Sequence, residues 1–194
     1  MTRAYHMKAR AERHADTRRR IVEAALQLHR TMDPQRITVT EIARRAGVER
    51  PTVLRHFNDR VSLLMACTFG DPIPAEHADD WALEPNPEVR LATALSEQYS
   101  WYRRNHKMLH HLLDLIESDT SLTPRRAVME QMRKRAHEVL CAGWDVRKSV
   151  RPKLELAVQH AFDFWSWLSL AEAGLTDEQA SEFTFEMVRD IAHR

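Results

Sequence analysis

The chain has 194 residues, 43% of them hydrophobic and 29% charged, with 2 cysteines and a formal net charge of +1. That length fits one large or two small globular domains. No apolar run approaches the roughly 18 residues of a membrane span, and Cys67 and Cys141 stand too far apart to suggest a disulfide framework or a metal-ligand set. With no signal peptide, a soluble cytoplasmic protein is expected. The near-neutral total hides a split. Residues 1–65 carry 14 Lys/Arg against 7 Asp/Glu, whereas residues 66–194 carry 15 against 21. A basic head on an acidic body suits a chain whose head alone meets a polyanion. No stretch sustains two-residue alternation of β-branched residues, so an all-α protein is predicted.

Residues 1–14 read as a basic arm, with Arg3, Lys8, Arg10 and Arg13 against Glu12. The charge of this arm could track phosphates, enter a minor groove or simply be solvated. The first helix is predicted from Asp16 to Met32, with Ile21, Ala24, Ala25, Leu28 and Met32 as its apolar stripe. Arg18, Arg19 and Arg20 fall in its first turn. The helix dipole disfavours cations there, which suggests an external anion. Pro34 then ends the connection.

The stretch ITVTEIARRAGVERPTVLRHFNDRVSLL, residues 37–64, organises the chain. Thr38 is an N-cap with Glu41 three residues on, the spacing of a capping box. Ile42, Ala43 and Ala46 share one face, and Gly47 stands where that helix must stop. Pro51 is tolerated only in the first turn of the next helix. Val53 and Phe57, four apart, point back at the preceding helix. Arg50, Thr52, Arg55 and His56 are left outward. A helix with a buried back and a cationic front is what reading a DNA major groove requires.

These residues resemble the N-terminal motif of the TetR-type transcriptional regulators at Thr38, Ile42, Ala43, Ala46, Gly47, Val48, Thr52, His56, Phe57 and Leu63. The resemblance implies a helix-turn-helix domain over 15–69 and a helical ligand-binding and dimerisation domain over 88–194. Arg50, Thr52 and Arg55 would then face bases, beside Pro51, and Glu49 would either accept from a cytosine amino group or favour the positive end of the recognition helix. Arg18, Thr38, His56 and Arg60 would face phosphates. The chain departs from the family at two places. Leu54 replaces a tyrosine that touches the DNA backbone, which removes a donor. Arg60 replaces a lysine, which keeps the charge.

A fourth helix is predicted from Val61 to Phe69, followed by a Pro-rich acidic linker over 70–87. The body is predicted as helices at 87–105, 106–118, 123–140, 152–173 and from Thr176 onward. Thr176 and Gln179 form a second capping box. Trp101, Tyr102, Met108, Leu109, Met129, Met132, Phe162 and Trp165 are candidates for an apolar effector pocket. The helix 152–173 is apolar on two sides, and one of them needs a partner outside its own core. Phe164, Trp167, Ala171, Phe183 and Met187 are therefore candidates for a homodimer interface, as the resemblance also implies.

His106, His110 and Asp114 recur at four-residue spacing, a pattern a metal could use but that equally makes a polar stripe. No nucleophile motif, phosphate loop or HExxH is present, and neither cofactor nor metal is predicted. The resemblance implies a repressor released from a pseudo-palindromic operator by a small, mainly apolar effector. A related activator, or a carrier or metal sensor without specific DNA binding, are the alternatives.

Overall fold

The computed structural model describes residues 2–32, 36–68, 73–118 and 123–194. Among them every regular element is helical: α1 (Thr2–Thr31), α2 (Val39–Ala46), α3 (Arg50–His56), α4 (Arg60–Thr68), a 3-10 turn (Pro74–His77), α5 (Ala78–Trp81), α6 (Pro87–Ser118), α7 (Thr123–Cys141), α8 (Arg151–Ala161), α9 (Phe164–Glu172) and α10 (Asp177–Ala192). Pro34, Phe69 and Gly70 lie outside the described residues. By contact the chain forms two compact units. One is Met1–Pro72 with Lys107–Leu115, and the other is Ile73–His106 with Ile116–Arg194.

Three sequence expectations are corrected. The N-terminal arm is not separate, since α1 is helical from Thr2. Residues 2–31 contain neither Gly nor Pro, so nothing in them stops a helix. Second, α6 runs through Asn105 and His106 without a break. Asn105 is buried, and its amide donates to the Trp101 carbonyl one turn back (3.1 Å), so it does not compete for the helix backbone. Third, the helix predicted over 152–173 breaks. Asp163 takes an extended conformation (ψ 135°) and its side chain accepts from the Ser166 N–H (3.0 Å), which starts α9 as a new helix.

In the first unit, Ile21, Ala25 and Leu28 of α1 bury with Ile42 and Ala43 of α2, Val53 and Phe57 around α3, and Leu63 and Leu64 of α4. Each such large side chain contributes about 1.5–3 kcal/mol on leaving water. Cys67 is buried among them, and burial pushes its thiol up to about 12.

The second unit is held by aromatic rings and buried donors. Tyr102 meets Trp101, Phe164 and Trp167 at centroid distances of 5.9, 5.4 and 5.4 Å. Its hydroxyl donates to the Phe162 carbonyl (2.7 Å), and that of Tyr99 donates to the Ala161 carbonyl (2.8 Å). Both hydrogen bonds take up carbonyls that the break after α8 leaves without helical partners. Buried Arg90 donates to the Val139 and Ala142 carbonyls, and Arg151 to those of Cys141 and Trp144. Two cations thus sit at the negative end of α7.

Candidate nucleic-acid interface

The turn between α2 and α3 is fixed by local backbone chemistry. Thr38 accepts from the Glu41 N–H (3.2 Å), but the Glu41 carboxylate turns to Arg44 instead of back to the cap. Only half of the predicted capping box is therefore formed. Gly47 is left-handed at φ 65°. Its N–H reaches the Arg44 carbonyl (3.3 Å) and the Val48 N–H reaches that of Ala43 (3.0 Å), the two bonds of a Schellman ending. Arg20, from α1, donates to two further carbonyls, those of Ala46 (2.6 Å) and Gly47 (3.2 Å).

That bond changes the reading of the arginine cluster at 18–20. Arg20 binds the end of α2, and Arg19 pairs with Asp16 one turn earlier. Arg18 lies over the Phe57 ring, 4.7 Å from its centre, in a cation–π contact. The negative partners are internal for two of the three, and only Arg18 keeps an outward guanidinium that no carboxylate or carbonyl engages among the described residues. Sequence reasoning missed the role of Arg20. A cation one helix away from an Ala–Gly ending is the only signal it leaves.

α3 carries the predicted front. Val53 and Phe57 are buried, while Glu49, Arg50, Pro51 and Arg55 are exposed and Thr52 is half-exposed. Arg55 donates to the Thr52 hydroxyl (3.1 Å), so the two side chains are held side by side. Arg50 has no hydrogen-bonding or ionic partner among the described residues. Glu49 occupies the N-cap position without a side-chain cap bond, which leaves its carboxylate at the positive end of α3. Thr38 is exposed and uses only its oxygen as an acceptor in the cap, so its hydroxyl proton remains for an external acceptor. Arg60 opens α4, and its side chain lies outside those described.

His56 departs from expectation. It is half-buried, its ring lies 4.1 Å from that of His14, and its Nδ1 is buried without a partner. Desolvation first, then the charges of His14, Arg55 and Arg18, hold it below the ordinary imidazole value of 6.5. It is a packing imidazole, with at most its other nitrogen available to an anion.

Residues 21–67, which run from the last third of α1 through α2 and α3 into α4, match the model of the family described as bacterial regulatory proteins, tetR family. Over those residues the chain is similar to that family. Over 87 residues, 44% of its length, the chain is 31% identical to two Pseudomonas putida proteins, the HTH-type transcriptional regulators SrpR and TtgW. It spans 41% and 65% of their respective lengths. Solved structures share the fold across nearly the whole chain. A tetR-family regulator from Streptomyces coelicolor superposes with a TM-score of 0.63 at 19% identity, covering 92% of this chain and 80% of that one. NalD of Pseudomonas aeruginosa, the secondary repressor of the MexAB-OprM multidrug efflux pump, gives 0.60 at 18% identity, covering 92% and 96%.

The residues predicted for the body are distributed differently from expectation. Phe164 and Trp167 are buried within the single chain, Trp167 at 1% exposure, so neither is offered to a second copy. Ala171 is half-buried, Met187 is half-buried and Phe183 is 54% exposed. Of the pocket candidates, Trp101 and Tyr102 are core, and Met129, Met132 and Phe162 are half-buried. Trp165 is exposed, and Met108 and Leu109 are buried in the first unit. His110 pairs with Asp114 (3.0 Å) while the His106 ring turns to the Arg103 carbonyl (2.9 Å). Among the described residues no three His, Cys, Asp or Glu side chains converge as a metal site.

Proposed function

We propose that the protein is a homodimeric transcriptional repressor that binds a pseudo-palindromic operator through α3 and leaves it when a small, mainly apolar effector binds. The observation that carries this reading is the two-faced α3: Val53 and Phe57 buried, Arg50, Thr52 and Arg55 displayed, with Arg55 and Thr52 already joined. Arg50 and Arg55 suit guanine, whose N7 and O6 accept both arms of a guanidinium. Arg18, Thr38 and Arg60 would hold phosphates, with His56 as a lesser contributor. NalD, which shares the fold, is named as a repressor, and this supports repression over activation.

Pairing is proposed through the outer faces of α8 and α10. There Leu156 is 67% and Phe183 54% exposed, and Leu156, Met187 and Ile191 line an apolar hollow rimmed by Lys153, His160 and Arg194. The effector is proposed to meet Met129, Met132, Phe162 and Trp165, with Trp101 and Tyr102 as wall. It acts only by binding one spacing of the two α3 helices better than another.

Selection of duplexes from a random-sequence pool by the full chain tests the reading. Enrichment of a two-fold symmetric site is expected, with half-sites about one helical turn or a multiple apart. Arg55→Ala should lower affinity and relax preference at a defined base pair, by about 1–3 kcal/mol. No enrichment, or enrichment unchanged by Arg55→Ala, would refute it.

A further inference from the structure

The family match begins at residue 21, yet α1 begins at Thr2, so about five helical turns precede the shared domain. Helical register organises them. At 100° per residue, positions 3, 6, 10, 13, 14 and 17 fall within about 100° of one another. The occupants are Arg3, His6, Arg10, Arg13, His14 and Thr17. Glu12 and Asp16 lie off that stripe, and Asp16 is neutralised by Arg19. Lys8 lies on the far side. The amphipathicity of this segment is therefore one of charge sign, not of hydrophobicity.

The stripe has a fixed direction. His14, near its inner end, meets the ring of His56, the last residue of α3, in a tilted contact. Arg13, next to it, and Arg10, about one turn further out, are exposed, and Arg13 uses its Nε on the Ala9 carbonyl (3.1 Å), which steadies the side chain and leaves its outer nitrogens uncommitted. From Arg13 back to Thr2 the helix advances about 17 Å, or roughly five base pairs of duplex. The basic stripe therefore continues the side of the domain on which α3 ends.

We propose that the segment of α1 before His14 makes a second, sequence-independent contact with duplex DNA, with Arg10 and Arg13 binding phosphates that flank the base pairs α3 reads. This rests on the proposed operator binding. A duplex is the occupant because Arg10 and Arg13 are exposed and cationic and their side of α1 is continuous with the proposed base-reading helix.

The test uses the full chain and the site it selects from a random-sequence pool, in two lengths: trimmed to the positions with base preference, and extended by about ten base pairs on each side. Binding is measured against salt concentration. The intact chain should bind the extended duplex about tenfold or more tightly over the trimmed one. The Arg10→Ala/Arg13→Ala variant should lose that advantage while selecting the same sequence. On the extended duplex, its log–log salt slope should flatten by about 2 per bound protomer, at roughly 0.9 per lost phosphate contact. Lys8→Ala, on the far side, should keep the advantage. Equal affinity for both lengths, an advantage that survives the double variant, or equal loss in Lys8→Ala would overturn the proposal while leaving operator binding intact. Failure to select any sequence would overturn both. Circular dichroism of each variant separates loss of contact from loss of helix.

Discussion

The α2–α3 pair and the α8–α9 pair are both short helices joined by a turn, but they are built on different logic. In the first, each residue has one environment: Ile42, Ala43, Ala46, Val53 and Phe57 inside, the arginines outside. In the second, apolar residues occupy both sides, and the turn at Asp163 decides which side is core. Phe164 and Trp167 turn inward onto Tyr102, and Trp165 turns out. Where one stripe is apolar, burial follows from periodicity. Where two are, it follows from a side-chain cap that periodicity does not see.

The largest expected effect tests that assignment. Trp167→Ala should cost about 3–5 kcal/mol, as for a large core ring, read as a shift of the urea midpoint at fixed protein concentration. Phe183→Glu should instead leave the far-ultraviolet spectrum intact and reduce the sedimentation coefficient. If Trp167→Ala changed only association, the ring would belong to an interface and the comparison would invert.

Next in size is Gly47→Ala. A side chain at φ 65° is strained, and the added carbon would lie 2.9 Å from the Arg20 guanidinium. A loss of about 1–3 kcal/mol is expected, measured by thermal unfolding. Smaller again are the two N-caps. Thr176→Ala should cost about 1 kcal/mol, because both arms of its box are formed, Thr176 N–H to Gln179 at 3.0 Å and the return bond at 3.2 Å. Gln179→Ala should cost part of that. Glu41→Ala should leave the start of α2 almost unchanged in amide exchange, because its carboxylate is not in the cap.

The smallest effect is that of pH. His56 titrates below 6.5 in the folded chain, so the unfolded chain takes up a proton first on acidification. Its contribution to stability is complete above 6.5 and declines as pH falls from there through the folded value. His56→Gln should flatten that part of the stability profile, followed by denaturant midpoints between pH 7 and 5.

The helix-turn-helix was legible because its signals are local: a cap at Thr38, a glycine at 47 and a proline at 51, each tied to a backbone requirement. The fold class was legible for the same reason. What was not legible depended on pairs far apart in sequence. Arg20 meets Ala46 and Gly47, and His14 meets His56, so residues read as anion ligands became partly structural. The break at Asp163 did have a local signal, an Asp three residues before Ser166, but it sits inside an otherwise unbroken helical pattern and is outvoted by it.

Arg20 and Gly47 occupy one small volume from opposite sides. A methyl group at position 47 would have to displace a charged plane that grips two carbonyls, and a shorter cation at position 20 would release those carbonyls to solvent. A change at either position is therefore felt at the other.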